Sequence, residues 1–278
     1  MNFLFKTGLA VLLIFTVQGC GKPVKQENRI IYKSLKDMSG KTLMKLSQKK
    51  IFFGHQSVGN NIIDGIRDII KDNPEINIKL IEYKKDTDLD NPVFAHTEIG
   101  HNNDPLSKIN AFREYMEKGA GSKTDIALFK FCFVDIDKDS DVSALFEKYK
   151  STMEILKEKY PGTTFIHATI PLIRQNKNTI GSIIKKALGK SQGLFDNEHN
   201  IKRNIYNQYI LDKYKGREPV FDIAEIESVH PDGTREFFFE QSRVFYSLFP
   251  GYTDDGGHLN KIGRRHVAEQ FLLLLLNL

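Results

Sequence analysis

The amino-acid sequence predicts an α/β fold, a parallel sheet with helices on both faces. Three observations predict it. From Lys50 onward, short apolar runs of strand length alternate with segments whose apolar residues recur at helical spacing. The alternation is sustained over more than two hundred residues, as a doubly covered parallel sheet requires. The chain is 40% hydrophobic, enough for a sizeable core in one large domain or two small ones.

The elements follow in order. Ile51-Phe52-Phe53 is a short apolar run closed by Gly54, a first strand. Ile62, Ile63, Ile66, Ile69 and Ile70 repeat at helical spacing, and Pro74 lies just beyond them. Ile76 to Tyr83 reads as a second strand and Ser107 to Lys118 as a helix. Asp125 to Val134 is almost wholly apolar and reads as the most deeply buried strand. Val142, Leu145, Phe146, Tyr149, Met153, Leu156 and Tyr160 mark a long amphipathic helix, closed by Pro161-Gly162. Thr163 to Thr169 is a fourth strand, Asp196 to Tyr214 a helix and Pro219 to Ile223 a fifth strand. The last helix begins after Asn260, a good N-cap residue, and runs through Leu276. Its leucine run, Leu272 to Leu276, is far shorter than the about 20 residues a bilayer span needs, so it reads as a core face. Arg174 to Gly193 is a polar, irregular insertion.

The N-terminus has a different character. Lys6 precedes an apolar run, Leu9 to Val17, and Gln18-Gly19-Cys20 follow it. A basic start, a run of this length and a small residue before a cut describe a secretory signal. Val17-Gln18-Gly19-Cys20 resembles the lipobox of bacterial lipoproteins, which implies lipidation at Cys20 and attachment to a bacterial membrane at the cell envelope. Residues 1–19 are then the signal peptide, 20–49 a tether with a lead-in helix around Thr42 to Ser47, and 50–278 the folded domain. With Cys20 lipidated, Cys132 is alone and the domain has no disulfide.

Forty Lys+Arg against 35 Asp+Glu give a formal charge of +5, and the basic residues are scattered. This is a mixed, solvated surface without the basic stripe of a nucleic-acid partner.

In a parallel sheet with covering helices, chemistry belongs beyond the carboxyl ends of the strands. Gly54-His55-Gln56-Ser57-Val58-Gly59 follows the first strand. A serine at a strand-to-helix turn has an exposed hydroxyl and a backbone N–H at a helix N-terminus, where developing negative charge is favoured. His55 stands where a G-x-S-x-G elbow would have its first glycine. Near the other end, Asp254-Asp255-Gly256-Gly257-His258-Leu259-Asn260 precedes the last helix. An imidazole can take the serine proton, and a carboxylate three residues away can orient it.

Together these motifs resemble the SGNH, or GDSL-like, hydrolase family, over roughly Lys50 to the C-terminus. There the nucleophile follows the first strand, and an Asp-x-x-His motif, matched by Asp255-Gly256-Gly257-His258, precedes the final helix. The resemblance implies a flavodoxin-like three-layer α/β/α fold and carbonyl-ester chemistry. It assigns Ser57 as nucleophile, His258 as acid–base and Asp255, rather than Asp254, as orienting group. It places the oxyanion hole at the N–H groups of Ser57 and Gly100. Two positions depart from the pattern. Gln56 replaces the usual aspartate before the serine. In Cys132-Phe133-Val134-Asp135, the third block, Val134 replaces the asparagine that donates to the oxyanion. Losing one such donor typically costs about 10²–10³ in rate. Asn102 and Asn103, in the loop after Gly100, are the candidates to replace it.

His55, His96 and His101 lie near the same edge, but no tight ligand spacing joins them, and neither a metal nor a cofactor is expected. His55 or His101 could instead meet polar groups of a substrate. Cys132 reads as a buried, inert thiol. The expected activity is hydrolysis of an acyl ester, acetyl by family analogy, on an acylated carbohydrate of the envelope or another ester. The alternatives are an O-acetyltransferase using the same residues and a catalytically silent envelope lipoprotein that binds a polysaccharide or a partner.

Overall fold

A computed structural model describes residues 29–84, 87–175 and 196–278. The signal segment 1–19, Cys20 and most of the insertion expected at 174–193 lie outside the described residues.

Six strands form one parallel sheet: β1 (Lys50–His55), β2 (Leu80–Glu82), β3 (Val93–Glu98), β4 (Ile126–Phe129), β5 (Thr164–Ala168) and β6 (Val220–Phe221). Their order is β2-β3-β1-β4-β5-β6. The chain therefore winds outward in both directions from β1, which pairs in parallel with β3 on one side and β4 on the other. The carboxyl end of β1 is the topological switch point, where a crevice opens in folds of this kind.

Helices cover both faces, giving the three-layer α/β/α arrangement. They are α1 (Val58–Asp72), α2 (Pro105–Tyr115), α3 (Val142–Lys159), α4 (Asn197–Tyr214), α5 (Ile223–Ser228) and α6 (Lys261–Leu276). The period-two pleat of β1 separates the two cores. Phe53 packs with Ile62 and Ile66 of α1 and Phe271 and Leu272 of α6. Phe52 packs with Phe112 of α2, in a core that also holds Met153 of α3 and Tyr206 of α4. The leucine run of α6 thus faces the sheet, and no described helix is long and apolar enough to cross a membrane.

Helices α1 and α6 meet closely. A Cβ on Gly65 would lie 2.3 Å from the Arg264 carbonyl oxygen, so only glycine permits this approach. Beside it, Arg264 donates to Asp68 Oδ2 through Nε at 2.9 Å and Nη2 at 2.7 Å.

Several boundaries differ from the sequence reading. The second strand is only Leu80–Glu82, and β3, which follows it, was not foreseen. His96, Thr97 and Glu98 interrupt the apolar pattern of β3, yet all but Glu98 are buried between β1 and β2. The expected strand from Asp125 to Val134 ends at Phe129. The rest of that run remains buried but turns, because the Asp135 carboxylate accepts the Cys132 N–H at 2.7 Å and closes a 3₁₀ turn, Phe133–Asp135. Apolarity reported burial there, not pairing. A two-stranded antiparallel hairpin, β7 (Phe237–Glu240) and β8 (Arg243–Tyr246), was also not foreseen.

From Arg29 on, the lead-in segment is built into the domain. Leu35, Leu43 and Leu46 join the core beneath α1 and α6. Ile30 donates to the Gly233 carbonyl at 2.9 Å, and Ser34 Oγ to Glu269 at 2.8 Å. The expected helix at Thr42 to Ser47 is one α-turn, Gly40–Leu43, continued as 3₁₀ through Met44–Gln48.

Candidate active site

Strand β1 delivers Ser57 to the switch point, and α1 starts at the next residue. Ser57 has φ 56° and ψ −115°, a left-handed conformation that side chains disfavour. Such a position costs about 1–3 kcal/mol and persists only when its surroundings impose it. The side chain does not cap α1, which removes the ordinary reason for a serine at a helix start. Its Oγ instead lies 2.8 Å from His258 Nε2.

His258 arrives from the opposite end of the chain, on the loop before α6. Its Nδ1–H donates to Asp255 Oδ2 at 2.7 Å, which leaves Nε2 free to accept the Ser57 hydroxyl proton. Asp255 Oδ1 accepts the N–H groups of Gly257 and His258, each at 2.8 Å. Burial opposes the Asp255 charge. These N–H donors and the imidazole outweigh it and hold the carboxyl down to about 2. Asn61 of α1 accepts the Leu259 N–H at 3.1 Å, so the serine's own helix fastens the histidine loop. Asp254 faces elsewhere, to Asn260 Nδ2 at 3.3 Å.

The loop after β3 is tied to the serine turn by the residue before it. Gln56 Nε2 donates to the carbonyls of Ile99 at 3.1 Å and Gly100 at 2.7 Å. Gly100 has φ 57°, and a Cβ there would lie 2.6 Å from the Lys108 nitrogen. The N–H groups of Ser57 and Gly100 meet no acceptor among the described residues. Asn102 turns its Oδ1 to Lys108 Nζ at 3.0 Å. Asn103, also left-handed at φ 64°, gives its backbone N–H to Asp135 Oδ1 at 3.0 Å.

Lys108 and Asp135 form a buried ion pair beneath these loops, Nζ to Oδ2 at 2.6 Å, with both side chains wholly inaccessible. Asp135 therefore binds three partners: Lys108, Asn103 N–H and Cys132 N–H. Sequence reasoning gave Gln56 and Lys108 no role. The unusual residue beside the serine was the available signal for Gln56. Lys108 gave none, since a lysine on an amphipathic helix reads as surface.

The third block runs from Cys132 to Asp135. The Phe133 ring meets His258 edge-on, centroids 5.4 Å apart, and packs against Gly257. Arg203 of α4 donates its Nε–H to the Phe133 carbonyl at 2.8 Å. Val134 offers no donor, and Cys132 is buried against the Gln56 carbonyl at 3.4 Å.

The other histidines do not join the site in one group. His55 is buried, its Nε2 3.0 Å from His96 Nδ1, and burial lowers both of their pKa values. A histidine enclosed beneath the sheet edge cannot reach a substrate, so only His101, which is exposed, stays available. No three His, Cys, Asp or Glu side chains among the described residues are grouped to hold a metal.

No protein-family model matches the sequence, and no curated protein is similar to it. Solved structures resemble it in chain path. A GDSL-like lipase from Bacteroides thetaiotaomicron is 12% identical over 84% of this chain and 91% of its own, with a TM-score of 0.49. The acetyl xylan esterase AlAXEase is 15% identical over 80% and 96%, at 0.43. The periplasmic domain of a lipopolysaccharide acetyltransferase from Salmonella Paratyphi A is 13% identical over 80% and 81%, at 0.40.

Proposed function

We propose that the chain is a serine esterase that cleaves acyl esters through Ser57, His258 and Asp255. The observation that carries this reading is the Ser57 Oγ to His258 Nε2 distance of 2.8 Å, made by a serine on a strained backbone that does no capping. Ser57 Oγ attacks the carbonyl carbon as Nε2 takes its proton. Asp255 keeps the imidazole in the required tautomer and stabilises the imidazolium. The N–H groups of Ser57 and Gly100 donate to the developing oxyanion. His258 then protonates the leaving alcohol oxygen, and a water, deprotonated by the same nitrogen, releases the acid.

In the same reading Cys20 carries lipid and holds the enzyme at a bacterial envelope membrane, where an acylated glycan is its substrate. A sugar hydroxyl in place of the water would make the same site an acyltransferase. Loss of lipid incorporation and of membrane recovery in Cys20→Ser tests the anchor.

Fluorophosphonate labelling and p-nitrophenyl acetate turnover test the chemistry. Both are expected in the wild type and absent from Ser57→Ala and His258→Ala. Wild-type protein that is neither labelled nor active across pH 5–9 would leave a binding protein as the reading.

A further inference from the structure

A cleft of about 760 Å³ opens beside the site, between the loop after β3 and the start of α3. This size is ordinary for a small-molecule site, roughly 300–1,000 Å³. Pro105, Leu106, Val134, Ile136, Ala144 and Leu145 give it apolar walls, and polar groups, among them Asp137, Asp141, Lys148 and His199, line the rest. Leu106 is 49% exposed although it is a large aliphatic residue. The cleft neighbours the site: Asn103 and Val134 line it, and Val134 follows the Phe133 that meets His258.

We propose that this cleft receives the alkyl chain of the acyl group, so that the substrate is an ester of an unbranched apolar acid longer than acetate. The proposal rests on the esterase reading above. The side of the ester follows from proton transfer. His258 must reach the leaving oxygen, so the alcohol lies on its side, whereas the cleft is bordered by Asn103, in the loop that carries Gly100 of the oxyanion hole. The chemistry of the occupant follows from the walls. Val134 gives the cleft an apolar wall next to Phe133, the residue that meets His258. An acetyl group would leave nearly all of this apolar surface in water.

The test measures kcat/KM of the full chain on p-nitrophenyl acetate, butyrate, hexanoate and octanoate. A parallel series holds the acyl group constant and varies the alcohol. A methylene buried completely is worth about fourfold. A cleft open on one side should still raise hexanoate over acetate by about tenfold or more. Ala144→Phe fills the cleft and Leu106→Glu charges it, and each should bring the hexanoate-to-acetate ratio close to one. The ratio does not depend on the fraction of protein that folds. A flat or acetate-favouring wild-type series, a preference that follows the alcohol instead, or ratios unmoved by both variants would overturn the proposal. If fluorophosphonate still labels Ser57 in that case, the cleft assignment alone falls. Without labelling, the esterase reading falls and takes this one with it.

Discussion

Lys108 Nζ and Asp135 Oδ2 lie 2.6 Å apart with no access to water, and through them two loops of the site share one foundation. The pair gathers Asn102, Asn103 and Cys132 around a single carboxylate and ammonium. Removing one member of a buried pair strands the other, at a cost of about 3–5 kcal/mol. Lys108→Met and Asp135→Asn are each expected to lose that much in urea unfolding. The double variant Lys108→Met/Asp135→Leu should lose less than the two single losses added. Strict additivity would show that the pair is not the unit.

Ser57 adopts a backbone conformation suited to glycine. Ser57→Gly should therefore be more stable than Ser57→Ala by about 1 kcal/mol, the strain relieved less the extra chain entropy of glycine. Both variants lack fluorophosphonate labelling. Equal unfolding midpoints would mean that the turn is unstrained.

Asp255 keeps its charge to about pH 2, below its ordinary 3.8. Its folded-state pKa is depressed, so its contribution to stability is present above about pH 4 and is lost as pH falls through 2. Asp255 therefore takes no part in a loss of activity at higher pH than that. The acid limb of kcat/KM should have a slope of one proton, and a slope of two would place the carboxylate in the same titration. Asp255→Asn should lower kcat by about 10⁴-fold.

Glu227 is wholly buried on α5. It accepts the Leu172 N–H, and its other oxygen has no partner among the described residues. Burial pushes its carboxyl up to about 8 from 4.5. Between these values the folded chain binds a proton that the unfolded chain releases, so stability falls as pH rises through this window. Glu227→Gln should remove that slope. Parallel stability–pH curves for variant and wild type would show the carboxyl to be ionised in the fold.

That Ser57, His258 and Asp255 come together was legible because each has a local signature. Ser57 follows a clear apolar strand, and Asp255 and His258 share one turn before a capped helix. The layered fold was legible for a similar reason, since alternating periodicities need no tertiary information. What could not be read was whatever depends on partners distant in sequence. Strand β3 looks polar until β1 and β2 enclose His96 and Thr97. Lys108 looks like a surface lysine until Asp135 is beneath it. Gln56 looks like a lost aspartate until its amide is seen holding Gly100. The run after Phe129 looked like strand because burial and pairing leave the same apolar trace.

Helix α1 starts at the serine and helix α6 follows the histidine, and the two touch at Gly65 and Arg264. The 2.8 Å contact between residues 201 positions apart is thus gauged by an interface two turns farther along α1. A genetic screen for inactive alleles should collect substitutions at Gly65, Asp68 and Arg264, none of which meets substrate. Suppressors of such alleles should arise on the facing helix rather than around Ser57.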